Sequence, residues 1–171
     1  VQRLAEGLGA GALPAVTWLE LDCLHVGDAG ASALGAALGR GALPRLESLQ
    51  LSNAAIGDVG LVALAPALRR LPVLKSLYLG GNPFGNEGLA ALMAPWLLAD
   101  APPPPAGGLA KLKRLRLNFT QITDAGCATL VAVLKNGLAM PALEEINLLG
   151  MYPASVMARN AVEQALARRR C

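Results

Sequence analysis

Pairs of leucines one residue apart recur along the chain at nearly constant spacing. Leu19 and Leu21 return as Leu49 and Leu51, Leu77 and Leu79, Leu115 and Leu117, and finally Ile146 and Leu148, in steps of 30, 28, 38 and 31 residues. A period of this size means a solenoid, in which each unit buries its apolar face only by stacking on its neighbours. Within each pair the alternation is that of a strand, leucines inward and the residue between them outward. Further on in each unit stand Leu34 and Leu38, Leu64 and Leu68, Leu92 and Trp96, and Leu130 and Leu134. Residues four apart share one helix face, so each unit is expected to be a short strand, a tight bend and a helix.

The bend has its own signature. Seven residues after the second leucine of four units comes Asp28, Asp58, Asn86 or Asp124, and two residues later Gly30, Gly60, Gly88 or Gly126. The polar residue falls where the helix should start, so its side-chain oxygen is expected to accept an orphan backbone N–H there. In the three Asp copies the charge also suits the positive end of the helix dipole. Val26, Ile56, Phe84 and Ile122 would anchor the bend, and the glycine signals close approach of the first helical turn to its neighbour. Gly39, Gly41 and Gly137 fall where helices should stop.

The pattern Leu-x-x-Leu-x-Leu, an apolar residue, Gly-Asp-x-Gly and Leu-x-x-x-Leu resembles the leucine-rich repeats of the ribonuclease-inhibitor subfamily over almost the whole chain. The resemblance implies an α/β fold, a leucine-rich repeat solenoid or horseshoe with parallel strands on the concave face and α-helices on the convex face. One departure is visible. The asparagine that the family favours three residues after the second leucine is present only as Asn82, its equivalents being Leu24, Ala54, Thr120 and Met151. The side-chain ladder to the loop backbones is therefore expected to be incomplete, and the strand-end loops less regular than the family norm.

The chain divides as one leucine-rich repeat domain, 1–171. Residues 1–12 read as the end of a preceding repeat, since Leu4 to Leu8 matches Leu34 to Leu38. Full repeats follow at 13–42, 43–70, 71–108 and 109–141, and 142–171 reads as a C-terminal capping repeat. A start inside a helix and the absence of an initiating Met suggest a fragment of a longer protein. The long step comes from an insertion at 100–108 with four consecutive prolines. It is expected to be an extended loop, or a polyproline II segment for an aromatic groove. The longest apolar stretch, Leu89 to Ala99, is too short to span a bilayer. Three cysteines without evident partners, like the family resemblance, point to an intracellular, cytoplasmic protein. Arg168-Arg169-Arg170 admits a nuclear-localisation reading beside that of a solvated helix end.

Chemistry-bearing residues are sparse. His25 is the one histidine and stands in a loop position otherwise taken by Ala55, Pro83 and Gln121, so neither a metal site nor a nucleophile–histidine arrangement can be assembled. Gly80-Gly81-Asn82 lacks the lysine of a phosphate loop. No catalytic residue, metal or cofactor is expected. Function is expected on the concave face, whose outward residues vary while the scaffold repeats. Trp18, Glu20, Asp22, Gln50, Tyr78, Arg114, Arg116, Asn118 and Asn147 are the candidate partner-binding residues, with Phe119 a further aromatic anchor, because interfaces favour Trp, Tyr and Arg.

The implied role is a non-catalytic module or scaffold binding a protein or peptide, with an acidic segment opposite Arg114 and Arg116. Two alternatives come from resemblance: a GTPase regulator, since the repeats resemble those of Ran GTPase-activating protein, and the sensing or autoinhibitory repeats of a NOD-like receptor. Nucleic acid is disfavoured by a net charge of only +3.

Overall fold

The structure is a computed structural model that describes residues 11–97, 109–136 and 139–169, with backbone alone at 95–97. Its strands are β1 (Trp18–Glu20), β2 (Ser48–Gln50), β3 (Ser76–Tyr78), β4 (Arg114–Arg116) and β5 (Glu145–Asn147). Its helices are α1 (Gly27–Gly39), α2 (Asp58–Leu68), α3 (Asn86–Leu97), α4 (Asp124–Lys135) and α5 (Val156–Ala167). The strands form one parallel sheet in chain order, and their register aligns the leucine columns: Leu19 on Leu49, Leu77, Leu115 and Ile146. The fold is thus an α/β leucine-rich repeat solenoid. Its core is a continuous file of leucines, with Leu49, Leu51, Leu77, Leu115, Leu117, Leu64 and Leu130 all inaccessible to solvent. Each buried side chain contributes about 1.5–3 kcal/mol.

The bend residues work across repeats, which corrects the expectation that each polar residue caps its own helix. Asp58 Oδ1 accepts from the backbone N–H groups of Gly85 and Gly88, at 2.9 and 2.6 Å. Those donors belong to the next repeat. Asp28 Oδ1 accepts in the same way from Gly57 and Gly60, at 2.7 and 3.0 Å. Asn86 Oδ1 accepts from Thr123 N–H and Asp124 Oδ1 from Ser155 N–H. Asp28 and Asp58 therefore cap the neighbouring helix, because stacking brings its first-turn donors within reach. Asn86 and Asp124 instead hold the N–H of the N-cap residues Thr123 and Ser155, whose own hydroxyls accept from Ala125 and Ala158 N–H in the first turns of α4 and α5.

This arrangement also explains the glycine. A Cβ on Gly60 would lie 2.5 Å from Asp28 Oδ1 and 2.9 Å from Asp28 Cα, so only glycine admits the approach. The apolar residues ahead of the bend are buried as expected: Val26, Ile56, Phe84 and Ile122. Where helices stop, Gly41 is left-handed. Gly137, Trp96 as a side chain, the 1–10 helix end, the proline insertion at 100–108 and Arg170 lie outside the described residues.

The strand-end loops are regular, contrary to expectation. Two residues past each second leucine the backbone is left-handed in all five repeats, at Cys23, Asn53, Gly81, Phe119 and Gly150. The three non-glycines among them strain the chain by about 1–2 kcal/mol each. Regularity survives because the parallel ladder runs on past the strands. Cys23 N–H donates to Ser52 O, Asn53 to Gly80, Gly81 to Asn118 and Phe119 to Leu149.

Asn82 does its family-like work alone among the described residues. Buried, it accepts from Ala54 and Ile56 N–H and donates to Leu51 and Leu79 carbonyls. At the equivalent positions Ala54, Thr120 and Met151 are simply buried, and Thr120 donates its hydroxyl proton to Leu117 O.

Candidate protein-binding surface

Register stacks the outward residues into columns. Trp18, Ser48, Ser76, Arg114 and Glu145 form one; Glu20, Gln50, Tyr78, Arg116 and Asn147 form the next. A third, Asp22, Ser52, Gly80, Asn118 and Leu149, continues it through the ladder bonds beyond the strands. All nine sequence-selected residues therefore share one concave strip, though they differ in how far neighbours already occupy them.

At the β1 end, Ser52 N–H donates to Asp22 Oδ1 at 2.6 Å. With its amide oriented to satisfy both neighbours, Gln50 accepts from Trp18 Nε1 at 3.1 Å and donates to Asp22 Oδ2 at 3.2 Å. Trp18, Asp22 and Gln50 are thus a linked group, and Trp18 remains 60% exposed. Glu20 is exposed beside them.

The centre of the strip carries one cation on an aromatic ring. The Arg116 guanidinium lies 4.5 Å from the Tyr78 ring centroid, a contact worth about 0.5–1 kcal/mol on a solvent-facing surface. Arg116 makes no ion pair among the described residues. Arg114 reaches Glu145 only loosely, at 3.7 Å. Closer pairs flank the strands, Lys75 with Glu47 at 2.7 Å and Lys113 with Glu144 at 2.8 Å, with every partner about half exposed. Pairs of that kind stabilise by about 0–1 kcal/mol, so they set the local field more than the fold. Asn118 packs over Gly80, and Asn147 Oδ1 accepts from Leu149 N–H. Asn147 thus holds backbone, and both residues are partly exposed on the strip.

At the β5 end the expected anchor Phe119 is joined by exposed apolar residues that the sequence reading did not select. Leu149 is 67% exposed, Val156 and Phe119 are exposed beside it, and Tyr152 and Met157 are exposed on the same repeat. The Phe119 ring lies over Gly150, where a Cβ would meet it at 2.2 Å. Leu149 and Val156 share a cleft of about 390 Å³ with Asn147, Arg159 and Asn160. The signal was available in Leu149 itself, a leucine in a column whose other members are polar or glycine. Large exposed apolar surface of this kind marks interaction sites.

Elsewhere the remaining candidates take structural places. His25 and Cys23 are exposed, and Cys127 is buried at 1% accessibility, where burial pushes its thiol pKa up, reinforced by the nearby Asp124 charge. Arg169 is more than a solvated helix end: its guanidinium donates to the carbonyls of Asn136, Ala139 and Met140 in the preceding repeat. Among the described residues, no group of three His, Cys, Asp or Glu is placed to hold a metal ion, and no helix is long and apolar enough to cross a membrane.

Comparison with known proteins places these features in a wider class. A family model described as Leucine Rich repeat matches residues 43–65, 70–93 and 108–131. No curated protein matches the chain. Among solved structures it is similar to one titled "Leiomodin-1 Actin-Binding Site 2 (ABS2)", with a TM-score of 0.71 at 16% identity, over 99% of this chain and 87% of that one. The matched repeats and the parallel sheet with its flanking helices together establish a leucine-rich-repeat fold for this chain.

Proposed function

We propose that this chain is a non-catalytic module or scaffold that binds a protein or peptide along the concave strip from Trp18 to Asn147. The observation that carries this reading is Arg116 lying on Tyr78 with no carboxylate partner among the described residues. An arginine held over an aromatic ring is already ordered, so little side-chain entropy is lost when an acidic group meets it. Trp18 at one end and Leu149 with Phe119 at the other supply apolar anchors on either side. The preferred partner presents an acidic segment to Arg114 and Arg116, and an apolar one to the β5 end.

The α-helices of 11 to 13 residues on the convex side support assignment to the ribonuclease-inhibitor-like class. Residues 13–141 would then form its full repeats and 142–171 a closing one, within a single domain. The leiomodin-1 structure is titled for actin binding; at 16% identity it supports the fold, and protein binding as the class of role. No feature of the described residues singles out a GTPase regulator or a NOD-like receptor.

The test is double charge reversal, Arg114→Glu with Arg116→Glu. Binding of a partner captured by the chain should weaken by about tenfold or more, equivalent to about 1.4 kcal/mol, and lose most of its salt dependence. Unchanged affinity and salt dependence would remove the concave strip as the site.

A further inference from the structure

The convex face holds an apolar groove between its last two helices. Between α4 and α5 lies a half-open depression of about 350 Å³, floored by Val131, Leu134, Ala161 and Ala165. The residue after the first leucine of each helix stripe is Gly35, Ala65, Met93 and Val131 in turn. At Gly35 the next helix comes so close that a Cβ would stand 2.9 Å from the Ala63 carbonyl oxygen. At the same position α4 carries Val131, which lines the groove. Facing it, α5 presents only alanines at Ala161 and Ala165, too short to fill the space.

The polar part of the lining is cationic. Lys135, Arg168 and Arg169 complete it with Gln164, and no carboxylate among the described residues lines it. Arg169 is engaged by loop carbonyls, whereas Lys135 and Arg168 are exposed and have no ion-pair partner among the described residues. Charge therefore selects an anionic occupant. Shape selects its kind: a half-open groove covers an acyl chain on one side only, but it matches the side chains that an amphipathic segment lays between two helices.

We propose that the α4–α5 groove docks a protein segment in which one or two leucine- or phenylalanine-sized side chains sit beside an Asp or Glu, the acid meeting Lys135 and Arg168. This is a second interface, on the face opposite the concave strip, and it stands or falls independently of that strip.

The probe is the peptide acetyl-Glu-Leu-Leu-Glu-amide, titrated into the whole 171-residue chain and followed by amide chemical shifts. Saturable shifts at Val131, Lys135, Ala161 and Arg168 are expected. The peptide with Lys in place of both Glu should bind about tenfold more weakly. Lys135→Glu with Arg168→Glu should invert that preference. Ala161→Trp, at an exposed position, should fill the groove and abolish binding with the melting temperature unchanged; if it melts early, Ala161→Leu takes its place. The absence of saturable shifts at millimolar peptide overturns the proposal, as do equal affinity for the two peptides and binding that survives the filled groove. Shifts confined to the concave strip also overturn it. Decanoate binding at the same residues as tightly as the acidic peptide would replace the peptide with an anionic amphiphile.

Discussion

Removal of the Asp58 carboxylate tests the cross-repeat capping directly. In Asp58→Ala the backbone N–H groups of Gly85 and Gly88 lose their acceptor, at present 2.9 and 2.6 Å away. Both glycines are buried. A buried donor left without a partner costs about 1–3 kcal/mol. Asp58 itself is only half buried, so water can replace part of what is lost and the lower half of that range applies to each donor. The expected total is about 2–4 kcal/mol, a fall in melting temperature of about 4–16 °C for a chain of this size. Asp58→Asn keeps the acceptor and loses only the charge at the helix terminus, so about 0.3–1 kcal/mol is expected; Asn86 already fills the equivalent place. The decisive assay is residue-resolved hydrogen exchange. Protection should fall at Gly85, Gly88 and Leu89 in the next repeat, while Gly60, held by Asp28, keeps its own. Fraying of residues 59–62 with 85–89 untouched would refute cross-repeat capping and restore a cap on the residue's own helix.

Further outcomes follow from other close contacts. Asn82→Leu leaves two buried N–H groups and two carbonyls unsatisfied and should cost at least about 3 kcal/mol, read as a shift in the urea midpoint. Gly60→Ala drives a methyl against the Asp28 backbone and should destabilise by about 3 kcal/mol. Gly39→Ala meets nothing within 4 Å and should stabilise by about 0.4–1 kcal/mol; thermal melts of the pair compare them. Burial raises the Cys127 thiol pKa. Its contribution to stability is therefore complete below the unfolded thiol's pKa and is lost as pH rises through the higher folded value. In the native protein a thiol reagent should modify exposed Cys23 well before Cys127, as peptide mapping of the labelled chain would show.

Repeat length, the strand and helix of each unit, the core leucines and the outward columns were all legible in the sequence, because they follow from periodicities of two and four residues that the backbone imposes locally. The sequence also marked Asp28, Asp58, Asn86 and Asp124 as structural, and Gly60 as a point of close approach. Which helix each polar residue caps was decided only by stacking: the first-turn donors nearest Asp58 in space belong to Gly85 and Gly88, on the next repeat. Regular loops without the asparagine series came from the same source, since the ladder between neighbouring strands continues past their ends. On the concave face, sequence named the residues and tertiary structure ranked them, joining Trp18 and Asp22 through Gln50 and leaving Arg116 on Tyr78 open to a partner. A periodic sequence specifies what each repeat presents; the distance between repeats, set at close approaches such as Gly35 against Ala63 and Leu64, decides what those groups meet.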